Sequence, residues 1–225
     1  LNTPCYKVAS FEITDIPLIE YIASKGKPVI ISTGIATLSD IEEAINACKR
    51  VGNEQIILLK CVSEYPTPLK HANLRTILNM KETFKVLVGL SDHTLGISVP
   101  IAAIALGAVL VEKHFILDRN LGGPDSAFSL EPKEFRLMIQ SIREVEESLG
   151  EINYELTNAQ KEMRKFARSL FVVEDIKAGE VFTEKNIKSI RPGFGLHPKY
   201  LFQILGRKAR RDIEKGTPLS WDLIE

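Results

Sequence analysis

The sequence predicts an α/β fold of the (β/α)8 (TIM) barrel kind, followed by a small β-rich module. Three observations carry this. Apolar, often β-branched runs alternate with helical segments five times over residues 1–150, and short connections between such elements produce parallel strands. Each run ends in polar side chains: Lys7, Ser10 and Glu12; Ser32 and Thr33; Lys60, Ser63 and Tyr65; Ser91, Asp92 and His93; Glu112 and His114. A barrel gathers its chemistry at C-terminal strand ends in this way. No GxGxxG or GxxxxGK turn follows the first run, which argues against a doubly wound nucleotide-binding sheet. Five strands do not close an eight-stranded barrel of about 250 residues. Roughly the first three β-α units are therefore expected to lie outside this chain, which opens at Leu1 without Met.

Taken in order, Tyr6 to Ser10 is a short strand and Ile16 to Ala23 a helix, closed by Gly26. Pro28 to Ser32 is β-branched and suits a strand covered on both faces, with Thr33-Gly34 as its turn. Ser39 and Glu42 fit a capping box. The helix beyond them carries Ile41, Ala44, Ile45, Cys48 and Val51 on one stripe. Gln55 to Leu59 is the third strand, Pro66-Thr-Pro68 a loop, and Leu74 to Phe84 a helix. The fourth and fifth strands begin at Val86 and Val109, and Lys133 to Leu149 is the most regular amphipathic helix. Residues 151–166 read as a polar, partly helical linker. Residues 167–225 form the β-rich module, with strands near Ser169–Val173 and Lys208–Arg211 and turns at Lys177–Glu180 and Lys215–Pro218. Such a size is small for an independent core but sufficient.

Composition excludes several classes. Lys+Arg and Asp+Glu balance at 29 each, so no global charge favours nucleic acid or an anionic membrane. Charges interrupt every apolar run short of a membrane span. Cys5, Cys48 and Cys61 are odd in number and lack CxxC spacing, as in a reducing cytoplasm.

His93 and His114 lie 21 positions apart at the ends of consecutive parallel strands. Two imidazoles brought to the same edge suit a divalent cation; the competing reading is a pair of unrelated histidines, one hydrogen-bonded in a core. Asp92 either orients a neighbouring imidazole or caps the following helix. Glu112 alternates with Lys113 and shares a face with His114, for a pocket role or a salt bridge. Cys61 reads as core filling, His71 as solvated, His197 as packed or bonded to backbone. The basic run Gly206–Arg211 reads as a solvated β face.

Several motifs, in one order along the chain, then resemble the sialic acid synthase family: Lys7-Val-Ala-Ser-Phe-Glu12, Ser32-Thr-Gly34, Tyr65-Pro66, Gly89-Leu-Ser-Asp-His-Thr94, Glu112-Lys-His-Phe115 and Gly123-Pro-Asp125. Asp175-Ile-Lys-Ala-Gly-Glu180, Arg191-Pro-Gly193 and Ile213 to Pro218 resemble that family's antifreeze-like (SAF, β-clip) domain. Lys60 to Tyr65, Phe166 to Phe171 and Gly195-Leu-His-Pro198 are most similar to its pseudaminic acid branch. Sialic acid synthases usually carry His-Cys-Thr where Lys60-Cys-Val62 stands here, and Asn where Ser63 stands.

The resemblance implies condensation of phosphoenolpyruvate with an N-acylated amino sugar in its aldehyde form. It implies a divalent metal, Mn2+ foremost with Mg2+ or another ion as alternatives, on His93 and His114. It implies Lys7, Ser10, Ser32, Ser63 and Ser91 on phosphoenolpyruvate, and Glu12, Tyr65 and Asp125 toward the sugar, with Glu12 also a proton-transfer group. Arg191 would contact the sugar's acyl group across a domain-swapped homodimer. Sialic or legionaminic acid synthesis, a non-catalytic carbohydrate-binding or dimerising fragment, and a metal-dependent barrel hydrolase are the competing expectations.

Overall fold

The computed structural model of the protein describes residues 2–225. The chain divides into two compact units, Leu1–Glu151 and Ile152–Glu225. In the first, five strands form one parallel sheet: β1 (Tyr6–Val8), β2 (Val29–Ser32), β3 (Ile56–Lys60), β4 (Leu87–Asp92) and β5 (Val111–Lys113). They lie side by side in strict chain order. A doubly wound sheet reverses its order at a switch point, and this one does not.

The sheet is also strongly curled. Lys7 on β1 and Glu112 on β5 come within 3.7 Å. Four strand spacings of a flat sheet would hold their backbones about 19 Å apart, too far for two side chains to span. This is five consecutive units of a (β/α) barrel wall.

Helices α1 (Ile16–Ala23), α2 (Leu38–Arg50), α3 (Thr76–Phe84), α4 (Ser98–Ala105) and α5 (Pro132–Leu149) accompany the strands. Alternation decides which residues meet them. Val8, Ile31, Leu58, Val88 and Leu90 are buried in the apolar core with Ile19, Ala44, Ile45, Ile77, Ala103 and Met138. The intervening residues, Lys7, Ser32, Ser91 and Glu112 among them, occupy the other face by register.

Several local expectations are corrected. The cap of α2 is Thr37 with Asp40, not Ser39 with Glu42. Thr37 is extended, its hydroxyl accepts the Asp40 N–H at 3.3 Å, and Asp40 accepts the Thr37 N–H at 2.8 Å. That reciprocal bond lets the helix begin two residues sooner than the apolar stripe suggests. Strand β1 stops at Val8, because Ser10–Glu12 turn into a short 3-10 helix.

The second unit opens with α6 (Asn158–Met163). It contains the antiparallel pair β6 (Ser169–Val172) and β7 (Ile187–Ile190), and the short helix α7 (Leu201–Ile204). Leu170, Ile176, Phe182, Ile187, Ile204, Ile213 and Leu219 form its core. The strand expected near Lys208–Arg211 is absent. Lys208 and Ala209 make only isolated bridges, to Val181 and Ile224 respectively. Ala209 is buried while its basic neighbours are exposed. The partner of β6 is Ile187–Ile190, a strand not expected from the sequence because Lys188 and Ser189 interrupt its apolar pattern.

Candidate active site

The polar side chains at the C-terminal strand ends form two touching groups. The first surrounds Gly34. Its N–H donates to Ser10 Oγ at 3.0 Å, its carbonyl accepts the Ser63 N–H at 3.3 Å, and Ser10 Oγ donates to Cys61 Sγ at 3.4 Å. A Cβ on Gly34 would overlap Ser63 Oγ and lie 2.7 Å from Ser10 Oγ. Only glycine therefore lets β2, β3 and the turn after β1 converge here. Ser32 and Ser63 hold buried hydroxyls with no hydrogen-bond partner among the described residues. A buried hydroxyl without a partner carries a desolvation cost, and these two lie at the C-terminal end of β2 and just past that of its neighbour β3. Beside them Ser91 Oγ donates to Glu112 at 2.7 Å, and Lys7 Nζ donates to the Val8 carbonyl at 2.9 Å while facing Glu112.

The second group is aromatic. The His93 and His114 ring centroids are 5.3 Å apart. Tyr65 lies 4.2 Å from His93, and Phe128 lies 5.0 Å from His114. His93 Nδ1 bonds the Val62 carbonyl at 2.8 Å. A carbonyl accepts only, so this nitrogen carries a proton, and in the neutral ring Nε2 keeps its lone pair. His114 Nδ1 faces Asp125 at 3.4 Å. With a metal–nitrogen bond of about 2.1 Å, two imidazoles on one ion have centroids about 4.7–5.4 Å apart. The separation is thus compatible with two ligands of a single divalent cation, and an oxygen faces the Nδ1 of each ring. Among the described residues no set of three His, Cys, Asp or Glu makes a fuller cage.

Cys61, buried as core filling requires, also links the groups. Its thiol is 3.9 Å from His93 Nδ1. Burial pushes the thiol pKa up, but contacts with His93, Ser10 and Ser91 outweigh it, leaving the pKa below the ordinary thiol value. Burial likewise opposes charge on His93, yet Cys61 and the Val62 carbonyl raise its pKa overall. His114 moves the other way: burial lowers its pKa, and Asp125 only partly restores it. Loss of water raises the Tyr65 phenol.

Not every expected residue joins. Glu12 is exposed and its carboxylate turns back to accept the Ala9 N–H at 2.8 Å. Arg191 belongs to the second unit, where it is exposed beside Pro192. Asp92 does not touch an imidazole. Its carboxylate accepts the Thr94 N–H and the Lys113 ammonium. Glu112 accepts the Ser91 hydroxyl and faces Lys7 at 3.7 Å, the salt bridge that is one of its two expected readings. His71 is not merely solvated but pairs with Glu64 at 2.8 Å, and His197 accepts the Lys199 N–H. Cys61, Phe128 and Gly34 were missed as site residues. For Gly34 the signal was present in Ser32-Thr-Gly34, whereas Phe128 reaches His114 from a single 3-10 turn, Ser126–Phe128, too short to show a period.

Comparison with known proteins decides the family. Residues 1–154 match the NeuB family and residues 167–225 match the SAF domain. The chain belongs to the NeuB family. This NeuB-family chain is 50% identical to the pseudaminic acid synthase of Helicobacter pylori, covering 100% of itself and 66% of that relative. It is 40% identical to the N,N'-diacetyllegionaminic acid synthase of Campylobacter jejuni, over 96% of itself and 65% of that protein. The chain thus spans just under two thirds of the length of these curated relatives. Among solved structures it resembles the spore coat polysaccharide biosynthesis protein spsE of Bacillus subtilis, with a TM-score of 0.63 and 37% identity, covering 98% of this chain and 67% of that one. No helix of the described residues is long and apolar enough to cross a membrane.

Proposed function

We propose that the protein carrying this chain is a pseudaminic acid synthase. It condenses phosphoenolpyruvate with a 2,4-diacetamido-2,4,6-trideoxy hexose and water, giving a nine-carbon 2-keto sugar acid and phosphate. The observation that carries this reading is the adjacency of two features. Unpartnered hydroxyls on Ser32, at the end of β2, and Ser63, past β3, share the C-terminal edge of the sheet with two imidazoles, past β4 and β5, whose separation suits one ion.

Lys7, Ser10, Ser32, Ser63 and Ser91 hold the phosphate and carboxylate of phosphoenolpyruvate. The Lys7 ammonium supplies charge and the hydroxyls supply directed donors. Tyr65 and Asp125 face the sugar, and Tyr65 keeps its phenolic proton. Carbon 3 of the enolpyruvate forms the new bond to the aldehyde carbon; water adds at carbon 2 and phosphate leaves. His93 and His114 hold a divalent cation, Mn2+ in this reading, which supplies Lewis acidity toward the aldehyde oxygen. Glu12 transfers protons once its carboxylate leaves the Ala9 N–H. Residues 1–150 are the barrel part, 151–166 a linker and 167–225 the SAF domain. In a cytoplasmic homodimer that domain brings Arg191 to the partner's sugar.

The test is phosphate release by the full-length protein with phosphoenolpyruvate, Mn2+ and each acceptor in turn. Release is expected with the 2,4-diacetamido-2,4,6-trideoxy hexose of pseudaminic configuration. Release only with another N-acyl amino sugar moves the assignment to the legionaminic or neuraminic branch. Silence with all acceptors overturns it.

A further inference from the structure

We propose that the buried Asp92–Lys113 ion pair is a positioning device that sets the separation of the His93 and His114 imidazoles. The inference rests on reading these histidines as ligands of one ion. Asp92 and Lys113 are opposed residues on β4 and β5, and they form the last paired rung between those strands. His93 and His114 are the next residues on each. The imidazoles therefore stand just beyond the point where the ladder stops fixing the strands.

The ion pair sits at that boundary. Lys113 Nζ donates to Asp92 Oδ2 at 2.6 Å, and both side chains are 1% exposed. Nζ also donates to the Thr94 carbonyl at 2.6 Å, and Asp92 Oδ1 accepts the Thr94 N–H at 3.0 Å. One carboxylate and one ammonium thus clasp the backbone on the far side of His93 and tie it to the residue before His114. On the other flank, the His114 carbonyl accepts the Leu130 N–H at 2.9 Å.

Stability does not account for the pair. Desolvating two charges costs about as much as their attraction returns, and apolar residues of similar volume often serve as well or better. What apolar residues do not supply is direction. The four bonded groups fix the path of residues 92–94 relative to residue 113. Sequence alternation sends Asp92 and Lys113 away from the site face, so neither touches substrate or ion, and their effect passes through the histidines.

The experiment compares the full-length protein with Asp92→Leu/Lys113→Met, which replaces both charges by apolar side chains and removes the bonds. Mn2+ binding is titrated by electron paramagnetic resonance, and melting is recorded in parallel without metal. The expected result is a melting temperature near that of the parent with Mn2+ affinity reduced about 10–100-fold, the range for groups that orient ligands. In the metal-free protein the side-chain nitrogen resonances of His93 and His114 should also broaden or shift. A folded variant that binds Mn2+ within twofold of the parent overturns the proposal. Asp92→Val/Lys113→Leu provides a second packing solution, and the titration is read on whichever variant keeps the parent's melting. His93→Ala is the control for the underlying assignment. If it binds Mn2+ as the parent does, the ion sits elsewhere and the ligand reading itself fails.

Discussion

Ser32→Ala separates stability from function at one atom. Ser32 is 2% exposed and its Oγ has no hydrogen-bond partner among the described residues. A buried hydroxyl stripped of water and left unbonded costs about 1–3 kcal/mol. Alanine keeps the Cβ, loses one oxygen and opens little space, so most of that cost should be recovered. The ligand-free variant is expected to unfold about 1 kcal/mol later than the parent, read as a higher urea midpoint at unchanged slope. Phosphoenolpyruvate should show the reverse. A hydrogen bond to a charged group contributes about 1.5–3 kcal/mol, so its affinity by calorimetry should fall at least tenfold. The reasoning is refuted if the variant is less stable than the parent, or if phosphoenolpyruvate binds it equally well. The first result would mean the hydroxyl is satisfied in the folded protein; the second would mean it faces no ligand.

Three further outcomes follow from the same geometry. Gly34→Ala drives a methyl group into Ser10 and Ser63, and should cost about 1–3 kcal/mol as overpacking while abolishing phosphoenolpyruvate binding, both measurable by titration and melting. Asp125→Asn removes the carboxylate that partly restores the His114 pKa. His114 should then titrate at still lower pH by nuclear magnetic resonance, and an unchanged titration would show that the 3.4 Å contact is electrostatically silent. Folding raises the His93 pKa above its unfolded value near 6.5. Its protonation thus stabilises the metal-free fold fully below that value, and the contribution is lost as pH rises through the folded value. His114, lowered by folding, contributes oppositely: its share is present above 6.5 and lost as pH falls through the folded value. Metal affinity needs both rings neutral, so it should climb with pH until His93 has deprotonated; a pH-independent affinity would argue against His93 as a ligand.

Much of this site was legible because strands alternate. Knowing that Ser91 and Glu112 fall on one face needs only the period of two and the run boundaries, and the polar endings of five runs pointed to one rim. The misses share a physical cause. The bond from Ser10 to Cys61 joins residues 51 apart, and a thiol in an apolar run gives no local sign of it. Lys113 looked like an ordinary charged neighbour of His114, yet it is buried against Asp92, because pairing between charges is invisible until the register is known. The helix cap at Thr37 was displaced by two residues because Ser39 with Glu42 offers the same chemistry as Thr37 with Asp40. Strand β7 escaped notice because Ile187–Ile190 is only half apolar, and the strand expected at Lys208–Arg211, where Ala209 is the one apolar residue, is held by single bridges.

The alternation that separates Ser32 from Ile31 and Ser91 from Leu90 has a further consequence. Each strand carries two messages in interleaved letters, one read by the helices and one by the polar face opposite them. Sliding a strand by a single residue would exchange them, sending hydroxyls into the oil and isoleucines into the cradle. A one-residue deletion within β2 or β4 is therefore a more severe lesion than the loss of any one side chain there. It corrupts both messages at once, so in these strands the precision of folding and the precision of chemistry are the same quantity.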